Sequence, residues 1–550
     1  MQSNKREEYI IELKKSKYDI LVIGGGVTGA GIALDATSRG LKTALIEMKD
    51  FASGTSSRST KLIHGGLRYL KQLDFGLVHE TGTERAVLHR LAPHMVIPEK
   101  MILPLIHGGT YGKLATSFGL KVYDILAGVS GEDRRKMLSK EETLKLEPLL
   151  NKEILKGSGF YAEYRTDDAR LTIELIKTAN RYGAQSLNYI KAVDFQYLDD
   201  KIVGVVCEDQ LGDHRFSVFA SQVVVAGGPW VDELRTVDRP KTSKRIHHTK
   251  GVHIVVPREK FPLSHTVYYD GPDGRMMFAI PRGRITYIGT TDTDYRGDLN
   301  RIVATQADLK YILNSLSLAF PAVKLSSEDV ISNWAGVRPL IHEEGKSPSE
   351  LSRKDEIFES STGLIAIAGG KLTGYRKMAE RVVDKVAHRL SQKIKSKIKS
   401  VQTKKIPLIE KVLHQKEINE LIEALEIKIE SYQLDPYFSW YLVTNYGHAA
   451  QEILDSMIHF KNSPEISLTR AELAHCLEKE LVFTLEDFYV RRTGRLYFEI
   501  GNIAITKEFI IEDFANYFDW TAAERAKKVA AFDLEYQDAT TFYDQEFSIT

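Results

Sequence analysis

The residues best placed to do chemistry begin with a glycine cluster near the N-terminus. An apolar run, Tyr18–Ile23, breaks into Gly24-Gly25-Gly26-Val27-Thr28-Gly29, and an alanine-rich helical pattern follows. A second apolar run then ends in Glu47. This order of strand, glycine turn, helix, strand and acid predicts a unit that binds an adenine dinucleotide. A purely structural glycine turn is the weaker interpretation, because the acid completes the pattern.

Each part of this unit has its own physical role. Gly24 permits a tight turn, Gly26 lets the backbone approach a pyrophosphate, and Gly29 lets the helix pack closely on the strand. The helix N-terminus offers free N–H groups and a positive dipole end to the phosphates. Glu47 is placed to accept hydrogen bonds from a ribose diol.

Bulk composition narrows the class of protein. The chain has 550 residues, enough for several domains, and a formal net charge of +1, which gives no reason to expect nucleic acid as a partner. Its two cysteines, Cys207 and Cys476, lie far apart in sequence and fit a reducing compartment. The charged segment Met1–Glu8 lacks the apolar core of a secretion signal, and no run approaches the length of a membrane-spanning helix. We therefore expect a protein that is soluble or at most bound to a membrane surface.

Two later apolar runs end in glycines and resemble further strands of the nucleotide layer. They are Val223–Gly228 and Leu364–Gly370. Continuous apolar runs fit parallel strands that are covered on both faces, and ligands bind beyond the carboxyl ends of such strands. Between these runs, Met276–Ile280 and Arg284–Thr291 flank Pro281-Arg282-Gly283, which predicts a hairpin in an antiparallel sheet. The nucleotide domain is therefore predicted to be discontinuous, with a second domain inserted.

Several longer motifs carry a resemblance to a known family. They are Ser53–Leu70, which contains His64-Gly65-Gly66-Leu67-Arg68-Tyr69, then Asp167–Leu171, Lys250–Pro257, Ile288–Asp292, Gly336–Leu340, Gly369–Lys377 and Arg491–Gly494. In this order the chain closely resembles the aerobic, FAD-dependent glycerol-3-phosphate dehydrogenases over nearly its whole length. The resemblance implies oxidation of sn-glycerol 3-phosphate to dihydroxyacetone phosphate by hydride transfer to FAD, with electrons passed to a membrane quinone. Related oxidases reduce oxygen to hydrogen peroxide instead. They tend to carry an inserted segment that this sequence lacks, which favours quinone.

The expected fold class is α/β, with a doubly wound, Rossmann-like FAD-binding domain, an inserted antiparallel-sheet substrate domain and an all-α C-terminal domain. The FAD-binding domain is expected at 17–95, 166–245 and 356–392. Residues 96–165 are expected to form part of the cap and substrate region, and 246–355 the substrate-binding sheet. A basic linker at 393–406 would lead into the helical domain at 407–550.

The substrate's phosphate needs cationic partners, and the matched motifs supply several. The resemblance assigns Arg68, Tyr69, Arg338, Lys371 and Arg376 to substrate binding. For each cation the alternative is ordinary ion pairing. His253 and His64 are the candidate bases, since imidazole titrates near the working pH. The alternative for each is a hydrogen-bonded core histidine, and His64 is expected more as a flavin neighbour than as the base. Arg338 is the third catalytic candidate, as a stabiliser of the developing alkoxide.

The remaining candidates are assigned to FAD. The helix start near Tyr375 is expected to point N–H groups at the flavin N1–O2 edge. Asp168 and Asp292 are expected either to orient active groups or to cap turns. No metal constellation is present in the sequence. The expected FAD-binding residues are Gly24, Gly25, Gly26, Thr28, Gly29, Glu47, Met48, Thr55, Ser56, Ser59, Lys61, Leu62, His64, Val193, Ala226, Gly227, Gly370, Leu372 and Thr373.

Membrane contact is a separate expectation. The segment Thr110–Gly128 is apolar with flanking cations and is followed by Arg134-Arg135-Lys136, a pattern that fits either an interfacial helix or a core-packed one. The expected location is the cytoplasm, with peripheral binding to the inner face of the cell membrane. The sequence does not determine the oligomeric state, and a homodimer is one of the states it allows.

Three other classes compete with this interpretation. They are an amine oxidase of the same broad fold, a nucleotide-binding scaffold whose helical tail recruits a partner, and an NAD-dependent dehydrogenase. A scaffold has no need of a phosphate clamp, and a yellow flavin chromophore would exclude the NAD enzyme.

Overall fold

The computed structural model describes residues 1–64, 75–110, 134–238, 245–341, 355–391 and 397–547. Arg68, Tyr69 and nearly all of the apolar segment Thr110–Gly128 lie outside the described residues. The remaining predicted site residues lie within them.

An eight-stranded sheet forms the nucleotide layer. Its central strands run parallel because helical crossovers return the chain to the same edge, and they are buried on both faces. The strands are β1 (Lys17–Ile23), β2 (Thr43–Ile46), β7 (Gln185–Leu187), β8 (Ile190–Leu198), β9 (Lys201–Asp209), β10 (Arg215–Val225), β17 (Asp355–Glu359) and β18 (Ile365–Gly369). The order is β17-β18-β10-β1-β2-β7, with β9 and β8 continuing antiparallel from the first half of β10.

Helices cover this sheet. Within the described residues the first two domains contain α1 (Arg6–Lys15), α2 (Val27–Ser38), α3 (Phe75–Leu91), α4 (Lys140–Leu146), α5 (Asp168–Arg181), α6 (Val231–Asp238), α7 (Gln306–Ala319) and α8 (Tyr375–Leu390). Helix α2 packs between α5 and α8. A Cβ at Gly31 of α2 would lie 2.7 Å from the Tyr375 ring of α8, so this contact requires glycine.

A ten-stranded, mostly antiparallel sheet forms the second layer. The predicted hairpin is present as β13 and β14, and its turn falls at Gly283-Arg284, with Gly283 at φ +56°. Strands from residues 97–165 join the same sheet, which therefore combines the region expected to form part of the cap with the later inserted segment. The strands are β3 (Leu62–Ile63), β4 (Ile97–Ile106), β5 (Lys136–Leu138), β6 (Leu155–Arg165), β11 (Ile246–Pro257), β12 (Thr266–Asp270), β13 (Met276–Arg282), β14 (Ile285–Gly289), β15 (Thr293–Asp294) and β16 (Ser332–Ile341).

The C-terminal module is helical, which confirms the predicted fold class. Before it, residues 397–405 pack on the nucleotide layer: Thr403 is buried and its hydroxyl donates to Asp35 at 3.1 Å. Residues 397–405 are therefore packed on the nucleotide layer rather than forming the exposed linker predicted for this region. The module contains α9 (Gln415–Ser431), α10 (Tyr437–Tyr446), α11 (Ala449–Ser456), α12 (Pro464–Lys479), a π-helical turn (Asp487–Arg492), α13 (Arg495–Phe498), α14 (Ile500–Phe518) and α15 (Ala522–Thr540).

A buried ion cluster joins this module to the nucleotide layer. Asp50, just beyond β2, accepts from Arg491 Nε at 2.6 Å and from Arg492 at 2.7 and 3.0 Å. Asn188 donates to the same carboxylate at 2.7 Å. Burial alone would raise the pKa of Asp50, but Arg492 and Arg491 outweigh it and hold the pKa below its usual value. The charged form of Asp50 is therefore the one that holds the interface.

We expect Asp50→Asn to lower the free energy of unfolding by about 3 kcal/mol or more, because the two buried guanidinium groups lose the carboxylate that they share. Urea denaturation measures this loss. Because the folded-state pKa of Asp50 is depressed, its stabilisation is complete above the unfolded value of about 3.9 and is lost as the pH falls through the folded value. The difference between wild type and variant should therefore shrink below about pH 4.

Asp513→Asn is the matched control. Asp513 accepts from Arg470 at 2.8 and 2.6 Å but lies within the module and is partly exposed. We expect a cost of about 1 kcal/mol or less there. Equal costs at the two positions would contradict a special role for the Asp50 cluster.

Candidate functional site

One cavity of about 460 Å³ lies between the two sheets. It opens where β1, β10 and β18 end, and its opposite wall is formed by β11 and β16. Most of the residues predicted from sequence meet here. Those that line the cavity are Gly24, Gly26, Thr28, Glu47, Met48, Thr55, Ser56, Ser59, Leu62, His64, Val193, Ala226, Gly227, His253, Arg338, Gly370, Lys371, Leu372 and Thr373.

The glycine turn at the end of β1 is closely packed. Gly24 has φ +116°, and a Cβ there would lie 2.4 Å from the carbonyl oxygen of Ala226. A Cβ at Gly29 would lie 1.8 Å from the carbonyl oxygen of Gly24. Side chains are therefore excluded at both positions. The turn brings the start of α2 to the cavity, where Val27 N–H donates to Ser56 Oγ at 3.0 Å.

Glu47 lies at the end of β2 with its carboxylate at the cavity wall. Its Oε2 accepts from Gly25 N–H at 2.6 Å and its Oε1 accepts from Lys49 N–H at 2.9 Å. Burial raises the pKa of Glu47, and these two backbone donors oppose the rise. Each oxygen has further acceptor capacity, so the fixed carboxylate can receive two ribose hydroxyls.

A loop of residues 53–64 runs between the sheets and forms part of the cavity floor. Thr55 Oγ1 donates to the Val337 carbonyl at 2.7 Å, and Ser59 N–H donates to Asp168 Oδ2 at 2.9 Å. Lys61 is buried, forms an ion pair with Asp168 and donates to the Ser57 carbonyl at 3.1 Å. The structure thus places Asp168 as an anchor for the loop.

The opposite wall follows from the register of two strands. In the β11–β16 pair, His253 lies opposite Trp334, Gly251 opposite Gly336, and Thr249 opposite Arg338. Residues directly opposite one another, and those two apart along a strand, share one face of a sheet. Along that face an aromatic pair (His253 and Trp334) is followed by a pair of glycines and then by the pair that contains the cation Arg338. A Cβ at Gly251 would lie 2.3 Å from the Arg338 guanidinium, so the absence of a side chain at Gly251 is what makes room for it.

Arg338 is held by the turn that follows β14. It donates to Thr290 Oγ1 at 2.9 Å, to the Thr291 carbonyl at 3.3 Å and to Asp292 Oδ1 at 3.4 Å. Its side chain remains 21% exposed. The guanidinium is therefore oriented by its neighbours yet accessible from the cavity.

His253 is almost completely buried. Its Nε2 lies 3.0 Å from Thr60 Oγ1, and its ring stacks on Trp334 at 4.7 Å with an interplanar angle of 13°. Burial lowers the pKa of His253 well below its usual value, and the nearby charges of Arg338 and Lys61 lower it further. The imidazole is therefore neutral near pH 7. Its Nδ1 is buried and makes no hydrogen bond within the described residues.

A second glycine turn completes the cavity at the end of β18. Gly369 and Gly370 have φ +76° and +81°, and Lys371 follows them at the cavity wall. The Thr373 hydroxyl donates to the His64 carbonyl at 3.2 Å, which ties this turn to the loop of residues 53–64. This geometry places His64 at the cavity beside the start of α8.

Arg376 does not reach the cavity. Its guanidinium donates to Glu84 at 2.6 and 2.5 Å and to Glu380 at 2.9 Å, and the residue is 2% exposed. The structure thus favours ordinary ion pairing for this cation. Gly25, Gly29 and Lys61 also lie behind the cavity surface, where they shape the turn and the loop rather than line the cavity.

Sequence reasoning missed several cavity residues. Thr60 and Trp230 line the wall, and Trp334 supports it from behind His253. A signal for Trp334 was available, because period-two alternation backwards from Arg338 places Gly336 and Trp334 on the same face. Trp230 follows closely on Gly227-Gly228, beyond the carboxyl end of β10, where ligands of parallel sheets bind.

The groups that line the cavity fit an adenine dinucleotide cofactor. One end of the cavity offers a glycine turn, a helix start and a fixed carboxylate, and the other offers a second glycine turn beside a cation. Among the described residues there is no cluster of side chains suited to a metal ion, and no helix that could span a membrane.

Comparisons with known proteins agree with a dinucleotide cofactor in this chain. Residues 19–376 match the model of the FAD dependent oxidoreductase family, and residues 401–525 match that of the C-terminal domain of alpha-glycerophosphate oxidase. The chain is 46% identical over 550 residues to the aerobic glycerol-3-phosphate dehydrogenase of Bacillus subtilis (strain 168), with 99% of each chain covered. It is 47% identical over 543 residues to that of Staphylococcus aureus (strain bovine RF122), covering 97% of this chain and 96% of the relative.

A solved structure extends the likeness to the whole fold. The glycerol-3-phosphate dehydrogenase from Bacillus halodurans, complexed with FAD, is 42% identical, and the match covers 98% of both chains with a TM-score of 0.83. The chain belongs to the aerobic, FAD-dependent glycerol-3-phosphate dehydrogenases. The predicted family and the predicted cofactor, FAD, are both confirmed. The L-alpha-glycerophosphate oxidase from Mycoplasma pneumoniae shares the fold at 19% identity, covering 68% of this chain and 95% of that one with a TM-score of 0.53.

We expect Glu47→Gln to weaken FAD binding by about tenfold or more, because hydrogen bonds to charged groups contribute about 1.5–3 kcal/mol. The amide keeps one acceptor oxygen and turns N–H groups toward a donor. Titration of the apoprotein with FAD measures the change in Kd.

Glu147→Gln is the matched control. Glu147 is buried and its Oε2 also accepts from two backbone N–H groups, those of Ser264 and His265, at 3.0 and 3.2 Å. It does not line the cavity. An equal loss of FAD affinity in both variants would show that Glu47 acts only through the fold.

Proposed function

We propose that this protein oxidises sn-glycerol 3-phosphate to dihydroxyacetone phosphate, with FAD as the hydride acceptor, and passes the electrons to a membrane quinone. The observation that carries the proposal is the wall formed by β11 and β16, where an accessible guanidinium, Arg338, lies on the same face as a neutral imidazole, His253. The full-length relatives are named for this substrate.

The reaction needs a hydride acceptor, a proton acceptor and a holder for the anionic substrate. Bound FAD supplies the hydride acceptor. We assign proton removal from the substrate hydroxyl to His253, whose ring is uncharged and oriented by Thr60 and Trp334. Arg338 and Lys371 bind the substrate, and Arg338 stabilises negative charge on the reacting oxygen. Arg68 and Tyr69 belong to the same proposal through the family motif.

Quinone is proposed as the electron acceptor because relatives that match over nearly the full chain are named dehydrogenases. The competing candidate is an oxidase that reduces oxygen to hydrogen peroxide, which the match of residues 401–525 to an oxidase domain favours. We place the protein in the cytoplasm, bound to the inner face of the membrane. The three consecutive cations Arg134-Arg135-Lys136 support that surface contact.

Anaerobic addition of glycerol 3-phosphate to the FAD-loaded protein tests the first half of the reaction. We expect the flavin absorbance near ~450 nm to bleach without any added acceptor, because the substrate alone supplies the hydride. Glycerol and glycerol 2-phosphate serve as control compounds. A flavin that stays oxidised with glycerol 3-phosphate would refute the proposed substrate.

The electron acceptor is tested separately on the reduced protein. Reoxidation by a soluble quinone should be much faster than reoxidation in air-saturated buffer, and little peroxide should form. Peroxide released as fast as quinone is reduced would favour the oxidase.

We expect Arg338→Ala to lower kcat/KM by about 100-fold or more, since the variant loses charge-assisted hydrogen bonds to substrate and transition state. Steady-state kinetics with a soluble quinone measure the effect. Arg215→Ala, which removes an exposed arginine paired with Glu208 at 2.8 Å on the outer hairpin, should leave kcat/KM unchanged. An unaltered kcat/KM for Arg338→Ala would remove Arg338 from the site.

A further inference from the structure

The aromatic support behind His253 spans two domains. The Trp334 ring lies parallel to the imidazole at 4.7 Å, and its Nε1 donates to the Ser59 carbonyl at 3.2 Å. On its other sides the indole contacts Tyr497 at 5.3 Å and Phe498 at 5.8 Å between ring centroids. Both of those residues belong to α13 of the C-terminal helical module.

The same module also fixes the strand that carries Trp334. Ser332 Oγ donates to the Tyr497 carbonyl at 2.6 Å, and Asn333 Nδ2 donates to the Ala539 carbonyl at 3.0 Å. All three residues Ser332, Asn333 and Trp334 are almost completely buried. The first half of β16 is thus attached to the helical module, and its second half carries Arg338 into the cavity.

Rotation of the His253 ring is restricted from several directions. A Cβ at Gly289 of the neighbouring strand would lie 2.2 Å from the imidazole, so β14 closes one side of the ring. Thr60 holds Nε2 at 3.0 Å. The remaining flat face rests on Trp334. Removing the indole would leave a void on that face and allow the ring to tilt.

We propose that Trp334 is a positioning residue for His253 and that the helical module acts on catalysis by holding Trp334 in place through Tyr497. This inference rests on the proposed function, in which His253 takes the proton from the substrate hydroxyl. It gives the helical module a role in the reaction in addition to stability. The chemistry required of position 334 is a flat aromatic face, since the indole N–H is directed at the backbone.

Anaerobic stopped-flow reduction of the FAD-loaded, full-length protein by glycerol 3-phosphate tests the inference. Trp334→Leu should slow flavin reduction at saturating substrate by on the order of tenfold, with the substrate Kd changed by less than about threefold. Trp334→Phe should recover most of the rate because it restores a flat ring. Tyr497→Leu, which removes the support behind Trp334, should also slow reduction, by about threefold or more.

Trp520→Leu is the matched control. Trp520 stacks on Phe514 at 5.6 Å within the same helical module and does not line the cavity. This variant measures how far the loss of an indole remote from the cavity lowers the midpoint of thermal unfolding. We expect its reduction rate to stay at the wild-type value even where its midpoint falls as far as that of Trp334→Leu.

A Trp334→Leu variant that is reduced at the wild-type rate would overturn the inference. The same conclusion would follow if Trp520→Leu slowed reduction equally at an equal fall in thermal midpoint. Where Trp334→Leu does not fold, a wild-type reduction rate in Tyr497→Leu overturns the inference instead. A wild-type protein that binds FAD but is not reduced by glycerol 3-phosphate would contradict the proposed function, which separates the two failures.

Discussion

The register between β11 and β16 is the constraint on which the rest of the site depends. Pairing Thr249 with Arg338 and His253 with Trp334 places imidazole and guanidinium on one face, two pleats apart. A slip of one residue would turn Arg338 to the opposite face, into the core beneath α7. Two glycines lie between the imidazole and the guanidinium. The absence of a side chain at Gly251 makes room for the Arg338 guanidinium, and its absence at Gly336 makes room for Arg58 of the loop of residues 53–64.

The remaining elements bring a nucleotide to that face and keep it there. The loop of residues 53–64 contacts both walls through Thr55, Ser59 and Thr60, so the glycine turn at Gly24 and the face that carries His253 and Arg338 are parts of one packed unit. Burial within this unit also keeps His253 neutral. The helical module contacts both layers: the ion cluster at Asp50 joins it to the nucleotide layer, and the aromatic contacts at Trp334 join it to the second sheet.

Local patterns predicted much of this arrangement, because a glycine turn, a following helix and an acid report directly on backbone geometry. The cradle around Gly24 and Glu47 and the hairpin near Gly283 depend on neighbours close in sequence. Arg376 shows where such reasoning stops. A cation in a motif could meet either a substrate phosphate or a protein carboxylate, and of the two carboxylates that Arg376 contacts, Glu84 lies 292 residues away in the chain. Strand periodicity places Trp334 on the same face as Arg338, but its contacts with His253 and Tyr497 join segments that are distant in the chain.

A crystal structure of the FAD-loaded protein with dihydroxyacetone phosphate would show where the flavin and the ligand bind. We expect the isoalloxazine ring between the Gly370 turn and the His253 face, with an oxygen of the bound compound within hydrogen-bond distance of Arg338. A flavin ring outside this cavity, or a compound bound away from Arg338, would contradict the proposed site.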